Sequence, residues 1–160
     1  MKALITGASS GIGRDIAREL SNRGYDLILV ARRKSRLEEL ANELNTKVEI
    51  IDMDISSTYN CMQLYNKVKK DNIDILINNA GFGLFGSFDE TNLDKELDMI
   101  DLNIKAVHVL TKLFLKDFIE KDKGYILNVA SSAAFVPGPL MATYYATKAY
   151  VLQLTEALVA

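Results

Sequence analysis

A chain of 160 residues with 19 basic and 21 acidic side chains carries no excess positive charge to hold nucleic acid or an anionic membrane surface. Its length suits one domain, 1–160, with a substantial core, and no apolar run reaches the roughly 18 residues of a membrane span. The single cysteine, Cys61, excludes an internal disulfide and fits a reducing compartment, and Met1-Lys2-Ala3-Leu4-Ile5 is too short for a secretory signal, so a cytoplasmic protein is expected.

The chain opens with a short apolar run, Ala3-Leu4-Ile5, followed at once by Thr6-Gly7-Ala8-Ser9-Ser10-Gly11-Ile12-Gly13. Ile16, Ala17 and Leu20 then recur at helical spacing. A strand, a glycine turn and a helix start in that order make a cradle for a dinucleotide phosphate. In such a cradle Gly7 turns the chain off the strand, Gly11 lets backbone approach a pyrophosphate, and Gly13 lets the helix sit close on the sheet. The spacing is G-x-x-x-G-x-G, not the commoner G-x-G-x-x-G. A glycine turn without a ligand is the plain alternative, and the position directly after an amino-terminal strand weighs against it.

Arg23-Gly24 predicts the end of the first helix with a left-handed cap. Asp26 to Ala31 is continuously apolar after its first residue, as a parallel strand buried on both faces requires. Ser35 with Glu38 reads as a capping box for a second helix, with Leu37, Leu40, Ala41 and Leu44 as its apolar stripe. Val48 to Ile51 is a third strand. A helix over about Thr58 to Lys70 is expected to turn Met62, Tyr65 and Val68 inward, with Cys61 in a packing role. Ile73 to Ile77 is a fourth strand, running into Asn78-Asn79-Ala80-Gly81 and an apolar loop, Phe82 to Gly86.

Thr91 is placed as the cap of a long helical region reaching about Glu120, bent near Asn103, where asparagine offers the backbone competing hydrogen bonds. Its second half is apolar in too many directions for one stripe, which fits burial between layers or a subunit interface. His108, the only histidine, has no partner pattern for a metal site and reads as a packing or interface residue. Lys123-Gly124 closes this helix, Tyr125 to Val129 is a fifth strand, and a last helix begins near Thr143 after a loop holding Pro137 and Pro139. The βα alternation predicts an α/β doubly wound parallel sheet of the Rossmann type in three layers, α/β/α.

Tyr144 and Lys148 are four residues apart on that last helix, so they share a face about 5–6 Å apart at Cβ. A phenol titrates near pH 10 in water, and a nearby ammonium favours its phenolate, which makes the pair a candidate acid–base group. Alone, such a pair is commonly a solvated helix face. Tyr145 is a poorer candidate because Ala149, not a cation, stands four residues on.

Together Thr6–Gly13, Asn78-Asn79-Ala80-Gly81, Asn103, Ser131 and Tyr144-Tyr145-Ala146-Thr147-Lys148 resemble the short-chain dehydrogenase/reductase family over the whole chain. The resemblance implies an oxidoreductase that moves hydride between nicotinamide and a carbonyl or secondary alcohol. It implies Tyr144 as proton donor, Lys148 tuning it and orienting the nicotinamide ribose, and Ser131, or its neighbour Ser132, holding the substrate oxygen. It also implies that Asn103 bends the helix and holds a water for proton return. Gly7, Ser9, Ser10, Gly11, Ile12 and Gly13 would take the pyrophosphate side of the cofactor. Asp54 and Ile55 would meet its adenine, and Asn79, Ala80 and Gly81 would line its crevice beside Tyr144 and Lys148. Arg32 and Arg33 stand where a dehydrogenase using NAD carries a carboxylate, and guanidinium there binds a 2′-phosphate, so NADP(H) is the expected cofactor.

Family members continue past this point, and here the chain stops within an apolar helical pattern with no terminating signal, so a C-terminally incomplete member is expected, with weak or absent turnover from these 160 residues alone and full activity only in a longer parent. Its substrate is a small carbonyl or alcohol, with Phe82, Leu84, Phe85, Phe135, Val136, Leu140 and Met141 hinting at an apolar pocket. A homodimer or homotetramer is expected. The rival reading is a non-catalytic NADP(H)-binding sensor or assembly module; an NAD-linked dehydrogenase is a third.

Overall fold

The computed structural model describes residues 1–159. Five parallel strands form one sheet in the order β3-β2-β1-β4-β5: β1 (Lys2–Thr6), β2 (Asp26–Ala31), β3 (Val48–Asp52), β4 (Ile75–Asn78) and β5 (Tyr125–Asn128). The register pairs Leu4 with Ile28 on one side and Leu76 on the other. The strand order reverses between β1 and β4, the switch point at which an open α/β sheet leaves a crevice.

Alternation along the strands sorts the core into two layers. Leu4, Ile28, Val30 and Leu76 face α3 (Thr58–Val68) and α5 (Val107–Glu120), through Cys61, Leu64, Leu110, Phe114 and Phe118. Ala3, Ile5, Leu27, Leu29 and Ile77 face α1 (Gly11–Asn22) and α2 (Lys34–Glu43), through Ala17, Leu37 and Leu40. The expected three-layer Rossmann-type α/β architecture is therefore the observed one. On β5, at the outer edge of the sheet, Tyr125 and Leu127 are exposed.

Local signals fared unevenly. Gly24 takes a φ of +82° just past α1, as the left-handed cap requires. The Ser35–Glu38 box does not form: α2 begins at Lys34 after Arg33, with no side-chain cap, and Glu38 reaches back to Lys34 at 3.9 Å. The i,i+4 attraction takes the carboxylate that the box needs. Met62 is exposed, and Cys61, Leu64 and Val68 form the inner face of α3 with Tyr65 half-buried beside them. A helix keeps i, i+3 and i+7 on one stripe, whereas the expected 62, 65, 68 series drifts around it.

Asn92, not Thr91, caps α4 (Leu93–Ile100), accepting the Lys95 N–H at 3.0 Å. Thr91 turns its hydroxyl to the buried Glu96. The interruption expected near Asn103 is a π-helical stretch, Asp101–Ala106, between α4 and α5. Wide turns of this kind are frequent at functional sites. A short 3₁₀ turn, Ser132–Phe135, precedes α6 (Ala142–Leu158), which begins a residue before the expected Thr143. Among the described residues no helix is long and apolar enough to cross a membrane.

Candidate active site

A cleft of about 680 Å³ opens at the carboxyl ends of the strands, over the switch point. Its floor is the glycine turn. Gly7 has a φ of +68°, and a Cβ there would stand 2.7 Å from Ala80 Cα, so only glycine lets β1 and the end of β4 approach this closely. Gly13 lies under the cleft, where a Cβ would meet the Gly7 carbonyl oxygen at 2.5 Å. Thr6 and Asn79 fasten the two strand ends. The Thr6 hydroxyl accepts the N–H groups of Asn79 (3.0 Å) and Ala80 (3.1 Å), and Asn79 Nδ2 donates to the carbonyls of Thr6 (3.0 Å) and Gly7 (3.2 Å).

Ser10 sits at the N-cap of α1 without a side-chain cap, which leaves the first-turn N–H groups unclaimed by a capping side chain where Ser10, Gly11 and Ile12 line the cleft. Uncapped donors at a helix start are an anion site, and the glycine floor gives a phosphate room to reach them. At the far rim stand Arg32 and Arg33. Arg32 is largely exposed, with one guanidinium nitrogen 4.0 Å from the Asp54 carboxylate. The residues present therefore fit a dinucleotide.

Every expected cofactor contact except Gly13 lines this one cleft: Gly7, Ser9, Ser10, Gly11, Ile12, Arg32, Arg33, Asp54, Ile55, Asn79, Ala80, Gly81, Tyr144 and Lys148. Asn79 lines it while its amide holds the glycine turn. Val30, Met53, Leu102, Val129 and Met141 line it as well. Sequence reasoning assigned them no contact with the cofactor, because strand-end and loop residues of ordinary apolar type carry no motif.

Tyr144 and Lys148 face the cleft from one side of α6, with the lysine nitrogen 5.9 Å from the tyrosine ring centroid. Lys148 is buried, donates to the Val129 carbonyl at 2.8 Å, and is held below the usual lysine range by that burial. Ser131 is half-buried beside the cleft, and its Oγ accepts the Ala133 N–H at 3.1 Å, capping the 3₁₀ turn. Ser132 is exposed. Asn103 is buried and does not line the cleft; its amide is bonded to the Phe82 main chain and to Thr147.

Asn78 lies beneath the floor, donating to Asn128 (2.8 Å) and Thr111 (3.1 Å). Asn128 in turn donates to Thr155 on α6 at 2.9 Å, a buried polar ladder from sheet to helix that no local pattern announces. His108 is exposed and pairs with Tyr150 at 2.7 Å, linking α5 to α6. Burial and the nearby Asp54 push the Cys61 thiol up to about 11, so it is an inert packing group.

The sheet order and the switch-point cleft define a Rossmann-type α/β protein. Within that class the chain belongs to the short-chain dehydrogenase/reductase family, whose short chain dehydrogenase model matches residues 1–160. An uncharacterised oxidoreductase of Staphylococcus epidermidis is 36% identical over 158 residues, covering 98% of this chain and 69% of that protein. Among solved structures, the bulky-bulky ketone specific alcohol dehydrogenase of Comamonas testosteroni is 36% identical with a TM-score of 0.91, over 98% of this chain and 65% of that one. A short-chain dehydrogenase from Sphingobium yanoikuyae in complex with NADPH is 37% identical, also at 0.91, over 98% of this chain and 63% of that one. The chain thus spans about two thirds of the length of each.

Proposed function

We infer that residues 1–160 act as one dinucleotide-binding domain of an NADP(H)-dependent oxidoreductase working on a carbonyl or secondary alcohol. The observation that carries this reading is the single cleft shared by the uncapped glycine cradle, Arg32, Tyr144 and Lys148. The cradle and helix start hold the pyrophosphate, and Arg32 and Arg33 meet the 2′-phosphate by charge-assisted hydrogen bonds. Asp54 and Ile55 flank the adenine. When bound, NADP(H) supplies or accepts the hydride.

The chain's own residues manage the proton and the substrate oxygen. Tyr144 gives its hydroxyl proton to a carbonyl oxygen, or takes one from an alcohol. Lys148 stands close enough to stabilise the phenolate left behind. Ser131 accepts from Ala133 and keeps its own O–H to hold the substrate oxygen. Asn103 supports the segment above Tyr144, and proton return runs past Lys148.

Phe82, Leu102 and Met141 give the cleft an apolar side, and the chain next to Phe82 and Met141 carries the exposed Phe85 and Leu140. A ketone with bulky apolar substituents suits that apolar side, and the Comamonas enzyme is itself specific for bulky-bulky ketones. Half-buried Val109, Leu113 and Leu115 with exposed Ile119 on α5 support a homo-oligomer, read directly by sedimentation.

Cofactor titration followed by NADPH oxidation with benzophenone tests the function. Tighter binding of NADPH than NADH is expected. Equal affinities would remove the role given to Arg32, and binding without turnover across aryl and alkyl ketones, in a protein of the relatives' length, would favour a nucleotide-sensing module instead.

A further inference from the structure

Thr147 stands on α6 between Tyr144 and Lys148, turned inward and 1% exposed. Its hydroxyl donates to the Tyr144 carbonyl at 2.7 Å, a local bond common to threonine in helices. The same oxygen accepts from Asn103 Nδ2 at 3.1 Å. That amide also donates to the Phe82 carbonyl at 2.9 Å and accepts the Phe82 N–H through Oδ1 at 3.1 Å. Asn103 therefore grips Phe82 at both main-chain groups, as a neighbouring strand would.

Phe82 leads directly into Gly83, whose backbone lies on the Tyr144 ring. A Cβ on Gly83 would stand 3.3 Å from Tyr144 Cδ2 and 3.0 Å from Met141 Cε. The contacts close a circuit that leaves Tyr144 by its carbonyl and returns to its ring.

We propose that Thr147 is a positioning residue, whose hydroxyl ties Asn103, and through it the Phe82–Gly83 segment, to the helix that carries Tyr144. The roof over the tyrosine is then set by α6 itself and moves with it. Only a hydroxyl donates and accepts at once here, and the β-branch of threonine holds it in one direction. Valine keeps the shape and loses the hydroxyl, leaving a buried Asn103 N–H without its partner. The functional side of this inference rests on Tyr144 as proton donor; the tie itself does not.

The test compares the wild-type chain with Thr147→Val and Thr147→Ser. Amide hydrogen exchange at Phe82 is followed by NMR, and NADPH oxidation with benzophenone is measured in parallel in a protein of the relatives' length. In Thr147→Val the Phe82 amide should exchange about tenfold faster while Leu4 and Ile28 are unchanged, because the loss is local. The kcat should fall about tenfold with the KM for NADPH constant, and Thr147→Ser should restore both. Asn103→Ala should open Phe82 as far as the Thr147→Val/Asn103→Ala double variant does, since residues in one network do not add. Unchanged Phe82 exchange in Thr147→Val, faster exchange spread through the sheet, failed rescue by serine, or additive effects would each overturn the proposal. A wild-type protein of the relatives' length that oxidises no NADPH would sink the catalytic reading alone, and Phe82 exchange would still decide the tie.

Discussion

The two ends of the sheet treat their polar groups in opposite ways. At the amino end, Asp74 joins three strands. Its carboxylate accepts the Lys2 N–H and the Lys123 ammonium, both at 2.9 Å, and its own main chain bonds to Lys2 and Tyr125. Asp26 likewise accepts the Lys47 N–H, at 3.3 Å. At the carboxyl end Lys148 is buried without a carboxylate partner among the described residues, Arg32 reaches only 4.0 Å from Asp54, and the start of α1 has no side-chain cap. Charges closed on neighbours hold strands together, whereas charges and donors left open over a cavity are available to a ligand. Substitutions at one end should therefore act mainly on stability, and at the other mainly on binding and turnover, the buried Lys148 excepted.

The largest separation is expected at Tyr144. Tyr144→Phe should lower turnover by about 10²–10⁴-fold, the usual share of a positioned acid–base group. NADPH affinity and melting temperature should stay at wild-type values. A variant that keeps its rate would leave the carboxyl end a nucleotide holder only.

Asp74→Ala should do the reverse, costing about 1–3 kcal/mol by urea denaturation while NADPH affinity is unchanged. The hydrogen bond from Lys123 holds the Asp74 carboxyl below its ordinary value, so its contribution is full above the usual carboxylate range. That contribution is lost as pH falls through the lowered value. The stability gap between wild type and variant should accordingly close in strong acid; a gap that persists there would assign the effect to packing.

A smaller effect is expected at the cleft rim. Arg32→Asp should swing the NADPH-to-NADH affinity ratio about tenfold towards NADH, roughly 1.4 kcal/mol. Its stability should stay within about 0.5 kcal/mol, as for most exposed sites. An unmoved ratio would place the 2′-phosphate contact elsewhere, with Arg33 the next residue to change.

The carboxyl end was the more legible of the two in the amino-acid sequence. Gly7 and Gly11 lie within five consecutive residues, and Tyr144 and Lys148 within five, so short-range spacing marks each group, while the resemblance to the short-chain dehydrogenase/reductase family is what put the two groups in one cleft. The continuous Leu27–Val30 run marked a buried parallel strand for the same reason. Asp74 gave no such signal, because its partners Lys2 and Lys123 are far away along the chain and meet it only once the sheet exists. Thr147 and the Asn128–Thr155 bond were invisible on the same ground. The helix starts failed differently. Ser35 and Thr91 are sound caps in isolation, and each lost to a neighbour: the Lys34–Glu38 pair in one case, Asn92 with its better capping amide in the other.

The seclusion of Lys148 makes the site unfavourable to the folded chain in a way that alkali relieves. The folded ammonium gives up its proton below the ordinary lysine range, so between those two values the unfolded chain binds more protons and stability climbs with pH. Lys148→Met should flatten that climb: any thermal advantage of the variant at neutral pH should shrink as the solution is made basic. A melting difference independent of pH would mean that the amine crosses into the interior without electrostatic cost.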